Sequence, residues 1–314
     1  MTGRAVPMDR PVTSGPLVFV IVLNWNGWRD TVECLSALQH LDRARYRVLV
    51  VDNGSSDDSE QRIRQAYPDV ALIQTGANLG YAGGNNVGIR SALREGAAYV
   101  VLLNPDVVVE PLTLDVLVGT AQSYPEIGAL SPVVRYKDKP QQIWFGNSLI
   151  DWRAGRAIQE EIVLPPAPYH PVAWASGCCL LLRAAALRAV GLFDVRYFLY
   201  SEETDLCERL RGAGYAVGVC PDTSGYHQAS SAVGADSPKL VYYMTRNALL
   251  FFLRHASRHD IPRGRLAWML YRRYVLNRDA ARAILRRDPA AIARLHACVD
   301  AGLGHFGPSR HYNR

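Results

Sequence analysis

The sequence predicts an α/β fold, in which a doubly wound, mostly parallel sheet is followed by a C-terminal helical segment. Its apolar runs of strand length are continuous rather than alternating, which is typical of strands buried on both faces. Helical patterns separate these runs, and the pattern from residue 238 onward is helical. With 49% hydrophobic and 20% charged residues, the 314-residue chain can form a large core and is not a mostly disordered protein.

Four strands are predicted in the first 125 residues, because each is a strand-length run rich in aliphatic side chains. They cover residues 17–23, 46–51, 70–74 and 98–103. Helices are predicted after the capping-box pair Asp30 and Glu33, over residues 59–67 and over residues 85–95. Pro111 fits the first turn of a further helix. This alternation favours a parallel sheet with right-handed crossovers.

The alternation fades after residue 125, where the pattern predicts a strand over 174–182 and helices over 184–190 and 202–211. Residues 1–16 are expected to form a flexible leader. The rest of the chain is divided into segments 17–125, 126–238 and 239–314.

The formal net charge of +6 is unevenly distributed. Residues 240–314 contain 14 arginines, four aspartates and neither lysine nor glutamate, so this segment carries +10 and the preceding residues carry −4. A basic segment of this kind can meet an anionic membrane, a phosphorylated substrate or nucleic acid.

The six cysteines form no CxxC pair, and we expect buried thiols in a reducing compartment. Neither a signal peptide nor a membrane-spanning apolar run is evident in the sequence. A cytoplasmic protein is therefore expected.

Polar loops follow all four early strands, where ligands of such sheets bind. The loops begin at Asn24, Asp52, Gly76 and Asn104. Asp106 in the fourth loop suits a hard divalent cation held together with substrate phosphates, or it is a turn or helix-start aspartate. Asp52 could accept hydrogen bonds from a base or ribose, or it shapes its loop as an Asx-turn.

A second acidic cluster comprises Glu202, Glu203 and Asp205 at a helix start. The helix dipole favours acids there, which makes capping one interpretation. Clustered acids also repel one another, which can raise one pKa and create a general base. His227 is a metal or phosphate ligand only if the fold brings it to the aspartate of the fourth loop. The Gly-Gly-Asn-Asn stretch at 83–86 is interpreted as a turn that presents N–H groups to an anion.

Taken together, these residues resemble family 2 glycosyltransferases, which have the GT-A fold, and especially a rhamnosyltransferase-like branch. The nucleotide-sugar half of the family is matched by VIVLNWNG, VLVVDNGSSDDS, NLGYAGGNNVGI and YVVLLNPDVVV. The acceptor half is matched by WASGCCLLLR, GLFDVRYFLYSEETDLCERLRGAGY and HQASSAVG. The resemblance covers residues 17–250. It implies a nucleotide-sugar-binding domain over 17–125, an acceptor-binding and catalytic portion over 126–238 and a basic helical segment over 239–314.

The resemblance implies that Asp106 and His227 hold a divalent metal, Mg²⁺ or Mn²⁺, which bridges the donor diphosphate. Asn104 stands where the family has the first aspartate of its Asp-x-Asp motif, so the sequence departs from the pattern there. The residues implied to contact the nucleotide sugar are Asn24, Asn26, Asp52, Asn78, Gly80, Asn85, Asn104, Asp106 and Arg246.

In the family, the general base is the second residue of a Glu-Asp pair, which reads Glu202-Glu203 here. The resemblance therefore implies Glu203 as the base, with Asp205 as a competitor. The base would deprotonate an acceptor hydroxyl that attacks the anomeric carbon opposite the nucleoside diphosphate, so that one displacement inverts the configuration. The residues implied to shape the acceptor site are Trp174, Ser176 and Gly177. A core position is an equal interpretation of the tryptophan.

The expected donor is a dTDP-rhamnose-like or UDP-sugar, and the acceptor is a glycan, a lipid-linked sugar or a small molecule. The apolar run at 248–253 and the arginines after it suggest contact with an anionic inner membrane. A homodimer, a nucleotidyltransferase and a module that binds nucleic acid or membrane through the basic tail are left open. We expect no nucleic-acid partner, because no recognised motif is present. The first loop lacks GxGxxG, which argues against a dinucleotide oxidoreductase.

Overall fold

A computed structural model provides the structure of the chain. It describes residues 15–41, 45–228, 237–262, 264, 268–270, 272, 285 and 287–312. Nearly all of the predicted leader, the 229–234 end of the HQASSAVG motif and most of the arginine-rich stretch 263–286 lie outside these residues.

Strands dominate the first three quarters of the described chain. They are β1 Val18–Asn24, β2 Tyr46–Asp52, β3 Ala71–Gln74, β4 Tyr99–Leu103, β5 Val107–Val109, β6 Ile127–Tyr136, β7 Ile143–Phe145, β8 Asn147–Asp151, β9 Arg156–Glu160, β10 His170–Pro171, β11 Cys179–Arg183 and β12 Ala216–His227. The α-helices are α1 Trp28–Ala37, α2 Ser59–Ala66, α3 Gly80–Arg94, α4 Thr113–Ser123, α5 Ala184–Val190, α6 Glu202–Gly212, α7 Pro238–His255 and α8 Pro289–Leu303. Short 3₁₀ turns follow α1 and α7.

One large sheet runs through both predicted portions, in the order β10-β12-β6-β11-β4-β1-β2-β3, with β5 paired to β12 and β7 to β6. Strands β4, β1, β2 and β3 are parallel, and β6 and β12 are parallel to each other. Strand β11 lies antiparallel between β4 and β6. The predicted α/β architecture with a mostly parallel sheet and a C-terminal helical segment is confirmed.

The core lies on both faces of this sheet, because successive side chains of a strand point to opposite faces. Val18, Val20 and Val22 of β1 join one apolar cluster, which α1 and α4 cover. Phe19 and Ile21 join the other cluster, which α3, α5 and α6 cover. This arrangement explains why the strand runs in the sequence are apolar throughout.

Two predicted helix starts are wrong. Helix α1 begins at Trp28, and Asp30 lies within its first turn rather than at a side-chain cap. Helix α3 begins at Gly80, five residues earlier than expected, so residues 83–86 are helical and do not form an anion-binding turn. A Cβ on Gly84 would lie 2.6 Å from the Leu23 side chain, so this glycine allows the helix to approach the sheet closely.

The prediction for the second half is incomplete. The strand expected over 174–182 is β11, which begins only at Cys179. Strands β6 and β12 were not predicted, because glycine, proline and polar residues interrupt their apolar pattern. Each of the six cysteines is an unpaired thiol, and all except Cys298 are buried.

The C-terminal helices pack against the body of the protein. Leu250, Phe251 and Phe252 of α7 are buried against Tyr197 and Trp152, so these large side chains of the 248–253 run belong to the core and cannot face a membrane. Past α8 the chain returns to α7, where the backbone N–H of Ser309 donates to the Tyr243 hydroxyl at 2.8 Å. No helix within the described ranges is long and apolar enough to cross a bilayer.

Candidate active site

The carboxyl ends of β1, β2 and β3 meet in a hydrogen-bonded network around Asp52. This side chain is fully buried. Its Oδ1 accepts from Asn24 Nδ2 at 3.1 Å and from the Ser55 hydroxyl, and its Oδ2 accepts from Gln74 Nε2 at 2.7 Å. The carboxylate of Asp52 therefore fixes the three strand ends relative to one another, and both of its oxygens already have partners.

The adjoining loops are ordered by asparagine side chains. Asn26 is exposed, and its Oδ1 accepts from the backbone N–H of Ser56 at 2.8 Å. Asn78 Oδ1 accepts from the N–H of Gly80 at 2.8 Å at the start of α3. Asn85 is buried, and its Nδ2 donates to the Tyr81 carbonyl at 3.0 Å. Asn26 and Asn78 thus lie in the loops after β1 and β3, whereas Asn85 bonds within helix α3.

Asp106 and His227 are brought together by strand pairing. His227 at the end of β12 pairs in register with Val107 of β5, the neighbour of Asp106. His227 Nε2 lies 3.1 Å from Asp106 Oδ2, and the Trp144 ring lies against the imidazole at a tilt of 60°, with centroids 4.7 Å apart. The condition set for His227 in the sequence, that the fold bring it to Asp106, is met.

The donor set of this pair fits a divalent cation. Two ligand atoms at about 2.1 Å from one Mg²⁺ ion and at right angles to each other lie about 3.0 Å apart, close to the spacing seen here. Asp106 Oδ1 and His227 Nδ1 are buried without hydrogen-bond partners. Among the described residues no group of three or more His, Cys, Asp or Glu could hold a metal.

Glu202 and Glu203 form the second half of the site, at the start of α6. Glu202 is 3% exposed and its Oε2 has no partner, whereas Glu203 is half-buried. Burial and then the charge of Glu203 raise the pKa of Glu202 well above its usual range, and burial raises the pKa of Glu203. Both carboxyls are therefore harder to ionise than that of an ordinary glutamate.

The segment 176–178 connects the two halves. The Tyr81 hydroxyl donates to the Gly177 carbonyl at 2.7 Å, and a Cβ on Gly177 would lie 3.9 Å from Glu203 Cγ. On the other side, the N–H of Asn104 donates to the Cys178 carbonyl at 2.9 Å. Burial raises the pKa of Cys178 to about 12, and the charges of Asp106 and Glu203 both add to the shift.

Asp205 is placed away from the half-buried Glu203 carboxylate, although both belong to α6. It is fully buried, and its carboxylate pairs with His255 Nε2 at 2.8 Å and Arg209 Nε at 2.8 Å. Burial opposes ionisation, but the hydrogen bond from His255 and the charges of Arg209 and Arg254 hold the pKa of Asp205 below its usual range. We infer a structural role rather than the competing base role considered from the sequence.

Arg246 also departs from its expected role at the donor diphosphate. It is 1% exposed, and its guanidinium donates to the Gly307 carbonyl at 2.6 Å and to the Tyr197 carbonyl at 2.9 Å. Its Nε donates to Asn247 Oδ1 at 3.1 Å. The guanidinium is thus buried and engaged with the protein itself.

The predicted acceptor residues differ in accessibility. Trp174 and Ser176 are buried, and the Trp174 ring packs in the core beside Phe145. Trp174 therefore occupies a core position, as one of its two interpretations held. Gly177 lies next to Glu203. Sequence reasoning assigned no role to Tyr81, which lies within the NLGYAGGNNVGI motif, and missed Trp144, which belongs to no motif and reaches the site only through the fold.

The loop that holds Asp106 and the first turn of α6, which holds Glu203, are joined through the segment 176–178. This arrangement agrees with a glycosyltransferase, the class that the sequence motifs predicted. The sequence model described as glycosyl transferase family 2 matches residues 19–191. The chain belongs to this family, as the motifs predicted. Family membership favours this enzyme class over the nucleotidyltransferase and the nucleic-acid module left open above.

One relative is the N-acetylglucosaminyl-diphospho-decaprenol L-rhamnosyltransferase of Mycobacterium tuberculosis. It is 33% identical over 281 residues, an alignment that covers 79% of this chain and 89% of the relative. This similarity agrees with the rhamnosyltransferase-like branch indicated by the sequence.

Two solved structures show the fold. Residues 1–349 of S. aureus TarS, in complex with UDP, align with a TM-score of 0.58 at 19% identity, covering 91% of this chain and 80% of that chain. The mannosyltransferase PcManGT from Pyrobaculum calidifontis, in complex with GDP-Man and Mn²⁺, aligns with a TM-score of 0.54 at 19% identity, covering 94% and 79%.

Proposed function

We propose that the chain is an inverting, metal-dependent rhamnosyltransferase. It would transfer the sugar of a nucleoside-diphosphate donor to a hydroxyl of a lipid-diphosphate-linked glycan. The 33% identical relative carries rhamnosyl transfer to such an acceptor in its name. The observation that carries the proposal is the Asp106–His227 pair, whose 3.1 Å contact suits a cation and whose loop is joined to Glu203 through the segment 176–178.

Asp106 and His227 would hold the divalent metal, Mg²⁺ or Mn²⁺. When bound, the ion would neutralise charge on the departing diphosphate. Support comes from the PcManGT structure, which contains Mn²⁺ with GDP-Man. The loops that begin at Asn24, Gly76 and Asn104 would hold the nucleotide, with Asp52 keeping the strand ends in register.

Glu203 would be the general base. Because burial raises its pKa, it would accept the acceptor's hydroxyl proton near neutral pH more readily than an ordinary, weakly basic carboxylate. The deprotonated hydroxyl oxygen would attack the anomeric carbon as the bond to the diphosphate breaks. One displacement inverts the configuration, and no covalent intermediate on the enzyme is needed.

A two-stage experiment tests this function. A thermal-shift screen with dTDP, UDP and their sugars, with Mn²⁺ or Mg²⁺, should show stabilisation by the true donor. Transfer from dTDP-rhamnose to a synthetic N-acetylglucosaminyl-diphospho-polyprenol is then followed by mass spectrometry, and the anomeric configuration of the product by NMR. A retained configuration, or transfer only from UDP-sugars or to lipid-free acceptors, would contradict the proposal.

We also propose peripheral contact with anionic membrane through the basic segment 239–314, in a cytoplasmic enzyme. A lipid-linked acceptor would require such contact, and the segment's arginines supply the charge. Co-sedimentation with vesicles containing phosphatidylglycerol should be strong at low salt and weak at high salt. Equal binding to neutral vesicles would contradict an electrostatic contact.

The proposed homodimer is a separate point, which size-exclusion chromatography would test.

A further inference from the structure

The backbone that leads into Glu202 and Glu203 has an unusual conformation. Phe198, Tyr200 and Ser201 have φ angles of 63°, 70° and 69°, in the left-handed region that favours glycine. Three non-glycine residues of this kind within four positions persist only where surrounding contacts hold them. We refer to residues 196–201 as the approach loop.

Those contacts come from α7. Asn247 is fully buried, and its Nδ2 donates to the carbonyls of Tyr197, Leu199 and Tyr200 at 2.9, 2.7 and 2.7 Å. Arg246 adds hydrogen bonds to the Tyr197 carbonyl at 2.9 Å and the Arg196 carbonyl at 3.2 Å. Its guanidinium also donates to Asn247 Oδ1, which directs the Asn247 amide nitrogen at the approach loop.

The approach loop meets α3 on its other side. The N–H of Ala82 donates to the Phe198 carbonyl at 3.3 Å. Gly80 has a φ of +70°, and a Cβ there would lie 2.3 Å from the same carbonyl. The loop is therefore enclosed between the start of α3 and the middle of α7, and it continues without a break into the two site glutamates.

A second contact from α7 acts on α6 itself. Asp205, two residues after Glu203, pairs with His255 and with Arg254 Nη1 at 3.2 Å. The Tyr197 hydroxyl of the approach loop donates to the same carboxylate at 3.2 Å. Helix α7 thus contacts both the approach loop and the first turn of α6.

We propose that Asn247 and Arg246 are positioning residues for sugar transfer, which hold the approach loop and thereby place the Glu203 carboxylate against the acceptor hydroxyl. The inference rests on the proposed function, because it requires Glu203 to be the base. In this proposal Arg246 positions the approach loop and does not make the phosphate contact expected from its sequence.

The test uses the full chain with Asn247→Asp, which keeps the side-chain shape but sets an oxygen against the loop carbonyls. Since a misplacement of about 1 Å can lower a rate about 100-fold, kcat for rhamnosyl transfer should fall about 10- to 100-fold. Binding of dTDP and UDP with Mn²⁺, measured by calorimetry, should change less than about threefold, because the nucleotide loops lie on other elements.

A pH profile distinguishes positioning from a loss of folded enzyme. If the approach loop relaxes, Glu203 gains solvent and the acidic limb of the kcat profile should move to lower pH. Adding Ser201→Gly should recover kcat several-fold, because glycine adopts the left-handed conformation unaided. The Ser201 side chain forms no cap hydrogen bond, so this change removes little else.

Tyr242→Phe on the same helix is the matched control. Its hydroxyl donates to Asp300 of α8 at 2.5 Å and not to the approach loop, so kcat and the acidic limb should stay as in the wild type. A folded Asn247→Asp variant with wild-type kcat and pH limb, or one with reduced kcat that Ser201→Gly does not restore, would overturn the proposal.

If Asn247→Asp does not fold, Arg246→Lys decides in the same assays, since lysine keeps the charge but loses the forked donors. Glu203→Gln is measured in parallel. Wild-type turnover by Glu203→Gln would show that the proposed base is wrong. If Glu203→Gln is inactive and Asn247→Asp is fully active, the positioning proposal is wrong and the base assignment of Glu203 stands.

Discussion

His227 Nε2 and Asp106 Oδ2 lie 3.1 Å apart although 121 residues separate them in the sequence. The contact depends on β5, the three-residue strand after Asp106, which pairs antiparallel with the end of β12. A small element thus joins the loop after β4 to the far end of the sheet. This pair is the basis of the first prediction.

Asp106→Ala should abolish metal-dependent turnover, and His227→Ala should raise the Mn²⁺ concentration for half-maximal rate at least about 10-fold, because each removes one of two protein ligands. The measurement is a Mn²⁺ titration of EDTA-treated enzyme. Glu110→Gln is the control, because Glu110 accepts from the Tyr226 hydroxyl at 3.0 Å beside the site without joining it. Equal activity of Asp106→Ala with and without EDTA would exclude the metal role.

Glu203→Gln should lower kcat by about 10²–10⁴, the usual contribution of a general base, while nucleotide binding persists. Burial raises the pKa of Glu203, so wild-type kcat/KM should fall with decreasing pH from a midpoint above the usual 4.5. Stopped assays across this pH range check both points. A pH-independent wild-type rate would contradict a carboxylate base.

Asp205→Asn should lower the free energy of unfolding and leave the rate of sugar transfer nearly unchanged. Removing one partner of a buried ion-pair network leaves the other charges uncompensated and costs about 3–5 kcal/mol. Urea denaturation measures the loss, and the folded fraction should turn over at close to the wild-type rate below the unfolding transition, because Arg246 and Asn247 still hold the approach loop. A stable Asp205→Asn enzyme with a rate reduced 100-fold or more would return the base role to Asp205.

Glu202→Gln should stabilise the protein at neutral and alkaline pH. Burial and the charge of Glu203 raise the pKa of Glu202 in the folded state, so its stabilising effect is complete below the unfolded pKa and is lost as pH rises through the folded pKa. Each unit of difference corresponds to about 1.4 kcal/mol.

Urea denaturation of Glu202→Gln and wild type at about pH 4, 6 and 8 checks the sign. The advantage of the variant should be largest at the highest pH and shrink as pH falls. Glu95→Gln, an exposed carboxylate paired with Arg47, should show a small effect. An advantage that grew on acidification would contradict the raised pKa.

The sheet was predictable from sequence where local pattern and fold agree. Apolar runs marked β1, β2 and β4, and parallel strands necessarily bring the loops after them to one edge, which located Asn24, Asp52 and Asp106 together. Helix α3 was misplaced because Gly83 and Gly84 signal a turn locally, whereas the helix needs Gly84 to pack closely against Leu23 at the end of β1.

The rest of the site depends on contacts between distant segments. Nothing near Asn247 in the sequence indicates that its amide holds three carbonyls about 50 residues earlier. The same limit applies to Arg246, whose charge suggested a phosphate but whose donors are enclosed by aromatic rings and backbone oxygens. Family motifs identify which side chains are present, but the contacts that these side chains make depend on the fold.

The hydrogen bond from Ser309 to Tyr243 has a practical consequence for expression work. The family match ends at residue 191, yet Gly307 and Ser309 close over the helix that supports Glu203. A fragment cut at residue 191 would lack α6 and α7 altogether, and one cut between the end of α7 and residue 309 would expose aromatic side chains of α7 to solvent. Purification tags and fusion partners therefore belong beyond that point, and shortened versions should be judged by solubility before any loss of activity is interpreted.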